Sequence, residues 1–536
     1  MRTPVEGQLE PMRPEGPQCF VDWRFVKAGF VGWYADADRV GVWEPAPENT
    51  VGRPEAPYGV RLQAKPAEET VGPNMARDKP WEYTYHINTV LYDEGVYRAW
   101  YECVPEDHFR GLDVGWPKGH GNLMCYAESD DGFNWRKPAL GLASYHGEES
   151  TNIVYGRELS PNGLHGGSVF KDPSAPPAER YKLIYMGSAE ESDAAAWRAK
   201  MAERFGEDLD PMTARNSGQS GRLLGATGHL DRERRPQVNW MAGAVSPDGL
   251  HWTGLTEPLM VHFSDTLNTA YWDASLGRYV GYFRTWRYGR RCVGRAETED
   301  FRYWRSTPDT VLQAPLERHP SDDVYTNAKV IYPGSGNTHL MFPAIYHRLD
   351  DSREVYMASS VDGINWQWVP SAGPVVGRGE MGGWNGGDIS TSQGLVPLSG
   401  GRIAVPVVGY VHAHKFPRGS EPFGAPGWAT WKEGRLAALE ADELGEFATI
   451  EMVIEGSQLS LNLKCREAGS VLVELRDAGG QPLAGYTFAD ADPICDDSVD
   501  RRVTWRGEAN IGRFSGQPIS LAFRMSKTQL FAFQLI

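Results

Sequence analysis

The chain has 536 residues, of which 41% are hydrophobic, so it can bury a large core and is expected to form more than one domain. Its formal net charge of −16 argues against nucleic acid and anionic membranes as partners, because both bind cationic surfaces. No apolar run approaches membrane-spanning length and no signal-peptide core lies near the N-terminus, which predicts a cytoplasmic protein. The six cysteines form no C-x-x-C pair, so free thiols are expected.

Residues 1–80 are predicted to form an N-terminal strap. Strand-like runs at 19–26 and near 42–45 precede a Pro- and Gly-rich stretch that extends to about residue 80, and such composition favours a surface segment with little regular structure. From residue 81 the pattern changes to strand-like runs at 83–91 and 96–103, which are separated by a turn at 93–95. These runs begin the first unit of a repeated β structure.

A seven-residue motif, Ser-x-Asp-Gly-x-x-Trp, marks that repeat. It occurs at 129–135, 246–252 and 360–366, and a degraded copy at 298–304 keeps the acidic residue and the Trp but loses the Gly. Asp-Gly between two strand-like runs predicts a tight hairpin in which both turn residues take positive φ. Hairpins repeated at such spacings are typical of a β-propeller, so the motif counts blades and is not expected to carry chemistry.

The predicted fold class is all-β, with a five-bladed β-propeller followed by a β-sandwich. The propeller is assigned to residues 81–435, and the spacing of the motif Trp residues fits one blade each once an insertion at about 188–237 is subtracted. Residues 194–205 of that insertion have the composition of a helix. Residues 436–536 read as short alternating strands, which favours a C-terminal sandwich.

One segment gives the chain a resemblance to known enzymes. The run Val169-Phe170-Lys171-Asp172-Pro173 is similar to the Arg-Asp-Pro motif of family 32 glycoside hydrolases, with Lys in place of Arg. Together with the blade pattern, it makes the chain resemble the five-bladed propeller glycoside hydrolases of families 32, 43, 68 and 117, and the C-terminal part resembles the sandwich of family 32. The resemblance implies a glycosidase in which Asp172 holds sugar hydroxyls near the transition state.

The chain also departs from family 32 at two positions. That family carries its nucleophile Asp in a Trp-x-Asn-Asp-Pro-Asn-Gly motif at the start of blade one, where this chain has Tyr85-His86-Ile87-Asn88. The family's acid/base Glu lies in a Glu-Cys motif after the Asp-Pro motif, whereas Glu102-Cys103 precedes it here. We therefore interpret Glu102 as a coincidental match, and the double-displacement mechanism of the family is not carried over.

The inner strands of all five predicted blades begin with polar residues. Because these strands converge on the propeller axis, their first residues are expected to line one pocket. Glycoside hydrolysis needs one protonated and one ionised carboxyl, and the candidate catalytic residues are Asp172, Asp265 and Asp388, each of which could instead form a turn. The candidate substrate-binding residues are His86, Asn88, His165, Ser168, Asn268, Arg284, Tyr325, Asn327 and Trp384. Trp81, Trp116 and Trp384 are candidate stacking platforms for sugar rings.

These residues predict a glycoside hydrolase that acts in exo mode on a small oligosaccharide or glycoside. A non-catalytic carbohydrate-binding propeller and a sialidase-like enzyme remain alternatives; the sialidase Asp-box is one residue longer than the motif found here. Carbohydrate is the expected partner, and a homo-oligomer is left open. No cofactor and no catalytic metal is expected; a structural calcium or sodium ion on the propeller axis is the only ion considered.

Overall fold

The computed structural model describes residues 12–28, 32–36, 39–43, 56–110, 121–205, 237–287, 289–304, 308–335, 338–416 and 421–536. Within these ranges the chain is almost entirely β-strand, so the predicted all-β class is confirmed. The two α-helices are α1 (Glu106–Phe109) and α2 (Glu191–Phe205), and 3₁₀ turns span Arg157–Leu159, Pro177–Glu179 and Gly512–Phe514. Neither helix is long and apolar enough to cross a membrane.

The strands are numbered in chain order. Those of the first 160 residues are β1 (Gln18–Cys19), β2 (Gly32–Asp36), β3 (Arg39–Trp43), β4 (Arg61–Ala64), β5 (Glu69–Val71), β6 (His86–Asp93), β7 (Val96–Cys103), β8 (Leu123–Ser129) and β9 (Ile153–Gly156). The next are β10 (His165–Lys171), β11 (Tyr181–Glu190), β12 (Gln237–Ser246), β13 (Thr253–Gly254), β14 (Thr269–Asp273), β15 (Arg278–Arg287), β16 (Arg290–Thr298) and β17 (Asp309–Leu312).

Sixteen further strands complete the described chain. They are β18 (Asp322–Thr326), β19 (Lys329–Ile331), β20 (His339–Met341), β21 (Ala344–His347), β22 (Ser352–Val355), β23 (Ala358–Ser360), β24 (Gln367–Trp368), β25 (Asp388–Thr391), β26 (Val396–Leu398), β27 (Arg402–Tyr410), β28 (Ala425–Lys432), β29 (Ala437–Ala448), β30 (Met452–Val453), β31 (Leu459–Asp477), β32 (Asp497–Arg502) and β33 (Pro518–Leu535).

Antiparallel sheets follow one another along the chain. Strands β6 to β9, β10 to β13 and β14 to β17 form three four-stranded sheets in chain order. The next segment forms two sheets, β18-β21-β22 and β19-β20-β23-β24, and the following sheet has the order β25-β27-β28-β5 with β26 beside β27. The middle strands β15 and β27 are buried along nearly their whole length, which is typical of strands covered on both faces.

The sheets contact each other in a closed sequence. Strand β6 packs against β10, β10 against β14, β16 against β18, β22 against β25, and β27 returns to β6. Successive sheets are therefore neighbours, in part through their inner strands and in part through β16 and β22. This arrangement brings the first residues of β6, β10 and β25 to one place.

The Asp-Gly motif connects neighbouring sheets. The carbonyl oxygens of Gly132, Gly249 and Gly363 accept hydrogen bonds from Trp428, Trp100 and Tyr282 of the adjacent sheets. The three glycines have φ between 69° and 81°, but the preceding aspartates are not among the residues with positive φ, so the predicted two-residue turn is wrong in this detail. In each copy the Asp carboxylate instead accepts backbone N–H groups two and three residues later, which fixes a longer turn.

The predicted strap contains more regular structure than its composition indicates. Strand β4 pairs with β29 and β5 pairs with β28, so the segment that holds them adds an edge to each of two sheets. The predicted helix of the insertion is present as α2, and the rest of the insertion, 206–236, lies outside the described residues. The six cysteines all lie in described positions and none forms a disulfide.

The C-terminal strands form one hydrogen-bonded sheet. Its order is β32-β31-β33-β29-β4, with β1 and β30 also paired to β33. Strands β31 and β33 have 19 and 18 residues, so four of the predicted short strands are joined into two long ones. Register shifts occur within β31, between Asn462 and Leu463 and between Cys465 and Ser470. They interrupt the alternation of inward and outward side chains, which is why the sequence predicts separate short strands there.

Candidate functional site

Polar side chains meet where the inner strands begin. Strands β6 and β10 each start with a partly exposed histidine, His86 and His165, and then continue into buried positions. The loop before β14 carries Asp265, and β25 starts with Asp388. These residues and their neighbours form a polar network, which consists of Glu102, His165, Asp265, Arg284, Tyr325, His414, Asp388, Arg353, Tyr410 and His86; Asp265 and Arg284 influence each other through charge, without a hydrogen bond between them.

His165 lies between two carboxylates. Its Nδ1 is 2.9 Å from Oε1 of Glu102, and its Nε2 is 3.1 Å from Oδ1 of Asp265. Glu102 is buried, and its oxygens also accept hydrogen bonds from the Asn122 side chain and the Gly166 N–H. The side chain of Asp265 is 40% exposed, so it is the carboxylate of this trio that a ligand can reach.

The three groups control one another's protonation. Burial lowers the pKa of His165, but the charges and hydrogen bonds of Glu102 and Asp265 outweigh it and raise that pKa well above 6.5. Burial raises the pKa of Asp265, yet the hydrogen bond and charge of His165, together with the charge of Arg284, bring it down to about 2. The pKa of Glu102 is lowered in the same way, against the effect of burial, chiefly by His165. At neutral pH the site therefore holds an imidazolium between two ionised carboxylates.

Arg284 bonds to Tyr325 and acts on Asp265 only through its charge. It lies on β15, is 3% exposed and donates from Nη2 to the backbone carbonyl of Tyr325 at 2.9 Å. The hydroxyl of Thr266, next to Asp265, donates to the same carbonyl. The guanidinium carbons of Arg284, Arg291 and Arg353 all lie over the Tyr325 ring, at 4.6, 5.4 and 5.0 Å from its centroid.

Asp388 is held by a buried arginine. Both of its oxygens accept from Nε of Arg353 at 3.0 Å, and Oδ2 also accepts from Nη2 at 2.5 Å; both side chains are almost completely buried. His414 lies beside this pair, with Nδ1 3.8 Å from Asp388 and Nε2 2.9 Å from the hydroxyl of Tyr325. The predicted residues Asp388 and Tyr325 are therefore joined through a histidine that the sequence analysis did not select.

The network closes through Tyr410 and His86. The hydroxyl of Tyr410 is 2.8 Å from Nε2 of His86, and His86 is the cross-strand neighbour of Glu102. Tyr410 and His414 also line a cavity of about 250 Å³, together with Trp384 and Phe423. The predicted stacking residue Trp384 is half-buried at the wall of this cavity, next to the polar network.

Four predicted binding residues lie deeper in the fold. Asn268 bonds to Ser264 and Thr266, and Asn327 accepts a hydrogen bond from Thr269 at 2.8 Å, so both hold the start of sheet β14 to β17 in place. Asn88 and Ser168 are also buried, and the Nδ2 and Oγ atoms of these residues have no partner among the described residues. Of the other predicted stacking residues, Trp81 is buried and Trp116 lies outside the described residues.

Asp172 occupies the opposite end of β10 from His165. Seven residues of extended strand separate the two, which corresponds to about 20 Å. The Asp172 carboxylate is fully buried and accepts hydrogen bonds from Tyr279 at 2.6 Å and from Ser174, and Lys182 lies 3.7 Å away. The structure thus brings Asp265 and Asp388 into one network but places Asp172 between the outer ends of two sheets.

Four members of the network are absent from the predicted site residues. Glu102, Arg353, Tyr410 and His414 lie at ends of second or third strands or in loops, whereas most of the predicted residues lie at or near the starts of inner strands. The Glu102-Cys103 sequence could have indicated that Glu102 belongs to the site, because the register of β6 and β7 places Glu102 directly opposite His86. No three His, Cys, Asp or Glu side chains of the described residues have the arrangement of a metal site.

Comparison with known proteins gives structural similarities alone. No family model and no curated protein matches the sequence. The chain is similar to the solved GH32 beta-fructofuranosidase of Bombyx mori, at 10% identity over 85% of this chain and 94% of that one, with a TM-score of 0.35. It is also similar to a sucrose-6-phosphate hydrolase from Lactobacillus gasseri, at 12% identity over 84% and 94%, TM-score 0.35. A thermostable family-43 glycoside hydrolase is similar at 11% identity over 68% and 96%, TM-score 0.37.

Proposed function

We propose that the chain is a glycoside hydrolase built on a five-bladed β-propeller with a C-terminal β-sandwich. The closed sequence of sheet contacts supports the propeller, with β18 to β24 as one blade in two parts. The polar network then lies where the inner strands of the five blades begin, and small-molecule sites of closed β architectures lie in such mouths. In this proposal the propeller lies between domain boundaries at about residues 80 and 435.

The observation that carries the proposal is the state of Asp265. It is ionised, partly exposed and bonded through Oδ1 to His165, while no described group donates to its other oxygen. An ionised carboxylate at a sugar site can act as nucleophile or as base for water. Asp265 has this role in our proposal, and His165 keeps it ionised.

Glu102 positions His165 and does not act on the substrate. Because both bonds start from one imidazole, the bonded oxygens of Glu102 and Asp265 are at most about 8 Å apart, a separation that glycosidase carboxyl pairs also show. The imidazole, however, fills the space between them, and the hydrogen bonds of Glu102 use both of its oxygens. A buried carboxylate that holds a histidine in one orientation is a recurring arrangement in acid–base sites.

The proton donor to the leaving oxygen must face Asp265 from across the substrate. We assign this role to His414, which lines the cavity and has Asp388 beside its Nδ1; its Nε2, 2.9 Å from the Tyr325 hydroxyl, gives its proton to the leaving oxygen in place of that contact. In this assignment Asp388 positions the donor and Trp384 supplies a stacking surface at the cavity wall. Exo action on a small glycoside is part of the proposal, and the cavity of about 250 Å³ beside the network supports it, because this volume suits one or two sugar units.

A panel of aryl glycosides tests the proposal. We expect Asp265→Asn to lower kcat on the accepted substrate by about 10²- to 10⁴-fold, because the variant lacks the ionised carboxylate. Asp172→Asn is the matched control, since it changes the same side chain at the far end of the neighbouring sheet and should retain kcat. Equal losses in both variants, at unchanged folded fraction, would contradict the role of Asp265.

A non-catalytic carbohydrate-binding propeller is the second candidate. It is favoured by one observation: Glu102, Asp265 and Asp388 are all bonded to cationic side chains, so no carboxyl of the network is placed to keep a proton. Sugar binding by the wild type without hydrolysis of any glycoside on the panel would select this function over the enzyme.

A further inference from the structure

Arg284 is a buried cation without an anionic partner. It is 3% exposed, and no carboxylate of the described residues lies within salt-bridge distance of its guanidinium. Its one side-chain hydrogen bond goes to a neutral carbonyl, that of Tyr325, and its Nε has no partner among the described atoms. An uncompensated buried charge destabilises a fold, so a position of this kind needs another explanation.

The arginines that neighbour Arg284 are each paired with a carboxylate. Arg353 binds Asp388 through two nitrogens, and Arg291 binds Asp323 at 2.6 Å. Asp323 also accepts from Arg348 at 2.8 Å, so its charge is already shared by two guanidinium groups. Every carboxylate near Arg284 is therefore committed to another cation.

The local charge is positive even though the whole protein is acidic. The connected group contains five cations and four carboxylates: His165, Arg284, Arg291, Arg348 and Arg353 against Glu102, Asp265, Asp323 and Asp388. The formal net charge of the chain is −16, so one excess cation in this group, which includes the partly exposed His165, Asp265 and Arg348, is opposite to the general composition. Burial and the charge of Arg291 lower the pKa of Arg284, whereas the nearby Tyr325, Asp265 and Asp323 raise it, so the charge of Arg284 is only partly compensated.

We propose that the ligand of the site is an acidic sugar, a uronic acid or its glycoside, whose carboxylate binds Arg284. This inference rests on the proposed function for the location of the sugar and adds its chemical class. The planar guanidinium can bind a carboxylate through two parallel hydrogen bonds, and Arg291, which also lies over the Tyr325 ring, adds a second positive charge. The sugar ring would then lie toward Asp265, because Thr266 and Arg284 bond to the same carbonyl.

Calorimetric titration with four sugars tests the inference. The wild-type protein is titrated with D-glucuronate, D-galacturonate, D-glucose and D-galactose, and the uronates should bind at least about tenfold more tightly than the neutral sugars, as expected for a hydrogen-bonded charge pair. Arg284→Met should remove this preference. Arg287→Met, on the same strand but with an exposed side chain bonded to Thr310, is the matched control and should keep it.

The thermal stability of the ligand-free variants separates a ligand-binding role from a structural one. If Arg284 awaits a ligand, Arg284→Met should melt at the same temperature as the wild type or above it, because an unpaired buried charge is replaced by an apolar chain of similar length. A lower melting temperature together with an unchanged uronate preference would overturn the inference. Tighter binding of inorganic phosphate than of either uronate would overturn the assignment to a carboxylate.

The inference and the proposed hydrolysis fail in different ways. Uronate binding that depends on Arg284, without cleavage of any aryl glycoside, supports the inference and contradicts hydrolysis. Cleavage of neutral aryl glycosides that depends on Asp265, with no uronate preference in the wild type, supports hydrolysis and overturns the inference.

Discussion

The two sides of the polar network differ in how their charges are compensated. On one side Arg353 and Asp388 form a buried ion pair with several hydrogen bonds, and His414 packs against it. On the other side Arg284 has no carboxylate partner among the described residues, and Asp265 is partly open to solvent. The first side is complete without a ligand, whereas the second has charge and exposed surface left to offer one. This contrast separates Arg353 and Asp388, which hold the site together, from Arg284 and Asp265, which meet the substrate in our proposal.

The side of the network that contains Arg353 and Asp388 is called the closed side below, and the side that contains Arg284 and Asp265 is called the open side. The largest effect is expected when the ion pair of the closed side is broken. Arg353→Met leaves Asp388 buried without its partner, and loss of one member of a buried ion pair typically lowers the free energy of unfolding by about 3–5 kcal/mol. Arg284→Met, which removes the same side chain from the open side, should leave that free energy unchanged or raise it. Urea unfolding followed by circular dichroism measures both variants. The difference between the two sides would be disproved by equal losses.

A double variant serves as the control for this prediction. In Arg353→Met/Asp388→Leu both charges are removed together, so no buried carboxylate remains unpaired, and most of the lost stability should return. If the double variant is no more stable than Arg353→Met, the loss comes from packing and the ion pair is not its cause.

The next effect concerns the two aspartates that border β10 and β14. Asp172 is closed like Asp388, since Tyr279, Ser174 and Lys182 surround it, and Asp172→Asn should lower the free energy of unfolding by about 1–3 kcal/mol because Lys182 loses its nearby charge. Asp265→Asn, at a partly exposed position, should change stability by less than about 1 kcal/mol. Urea unfolding measures the stability of both variants, and their kcat values are measured alongside it. Asp172→Asn should lose more stability, and Asp265→Asn should lose more activity.

The sequence predicts local structure well where one signal is enough. The strand at 96–103 and the helix near 194–205 correspond to β7 and α2, because each has a continuous pattern that its own residues create. In β31 the run Arg466-Glu467-Ala468-Gly469 interrupts the alternation of hydrophobic and polar residues, so the sequence predicts separate strands on either side of it. The structure carries the strand on through a register shift, since β33 supplies hydrogen bonds on both sides of it.

The site is only half predictable for a related reason. His86, His165, Asp265 and Asp388 stand next to inner strands, so the pattern of strands is sufficient to select them. Arg353 and His414 gain their roles from contacts with residues 35 and 89 positions away, and sequence order does not indicate such pairs. Asp172 shows the converse case: a familiar motif selected it, and the direction of β10 places it at the far end of the strand from the network.

The smallest effect is expected from pH on the open side. The pKa of His165 is raised in the folded protein, so its charge stabilises the fold fully below about pH 6.5, the usual imidazole value, and this contribution is lost as pH rises through the folded pKa. The pKa of Asp265 is lowered to about 2, so its contribution is present above its usual value of 3.8 and is lost as pH falls toward 2. The trio should therefore stabilise the protein most between roughly pH 4 and 6.5.

His165→Gln measures this contribution. The difference in free energy of unfolding between wild type and variant should be greatest near pH 5 to 6 and shrink toward pH 9, by less than about 1 kcal/mol in total because the groups are partly exposed and screened. A difference for His165→Gln that grows with pH would mean that His165 is neutral in the folded protein, and the ionised state assigned to Asp265 would lose its support.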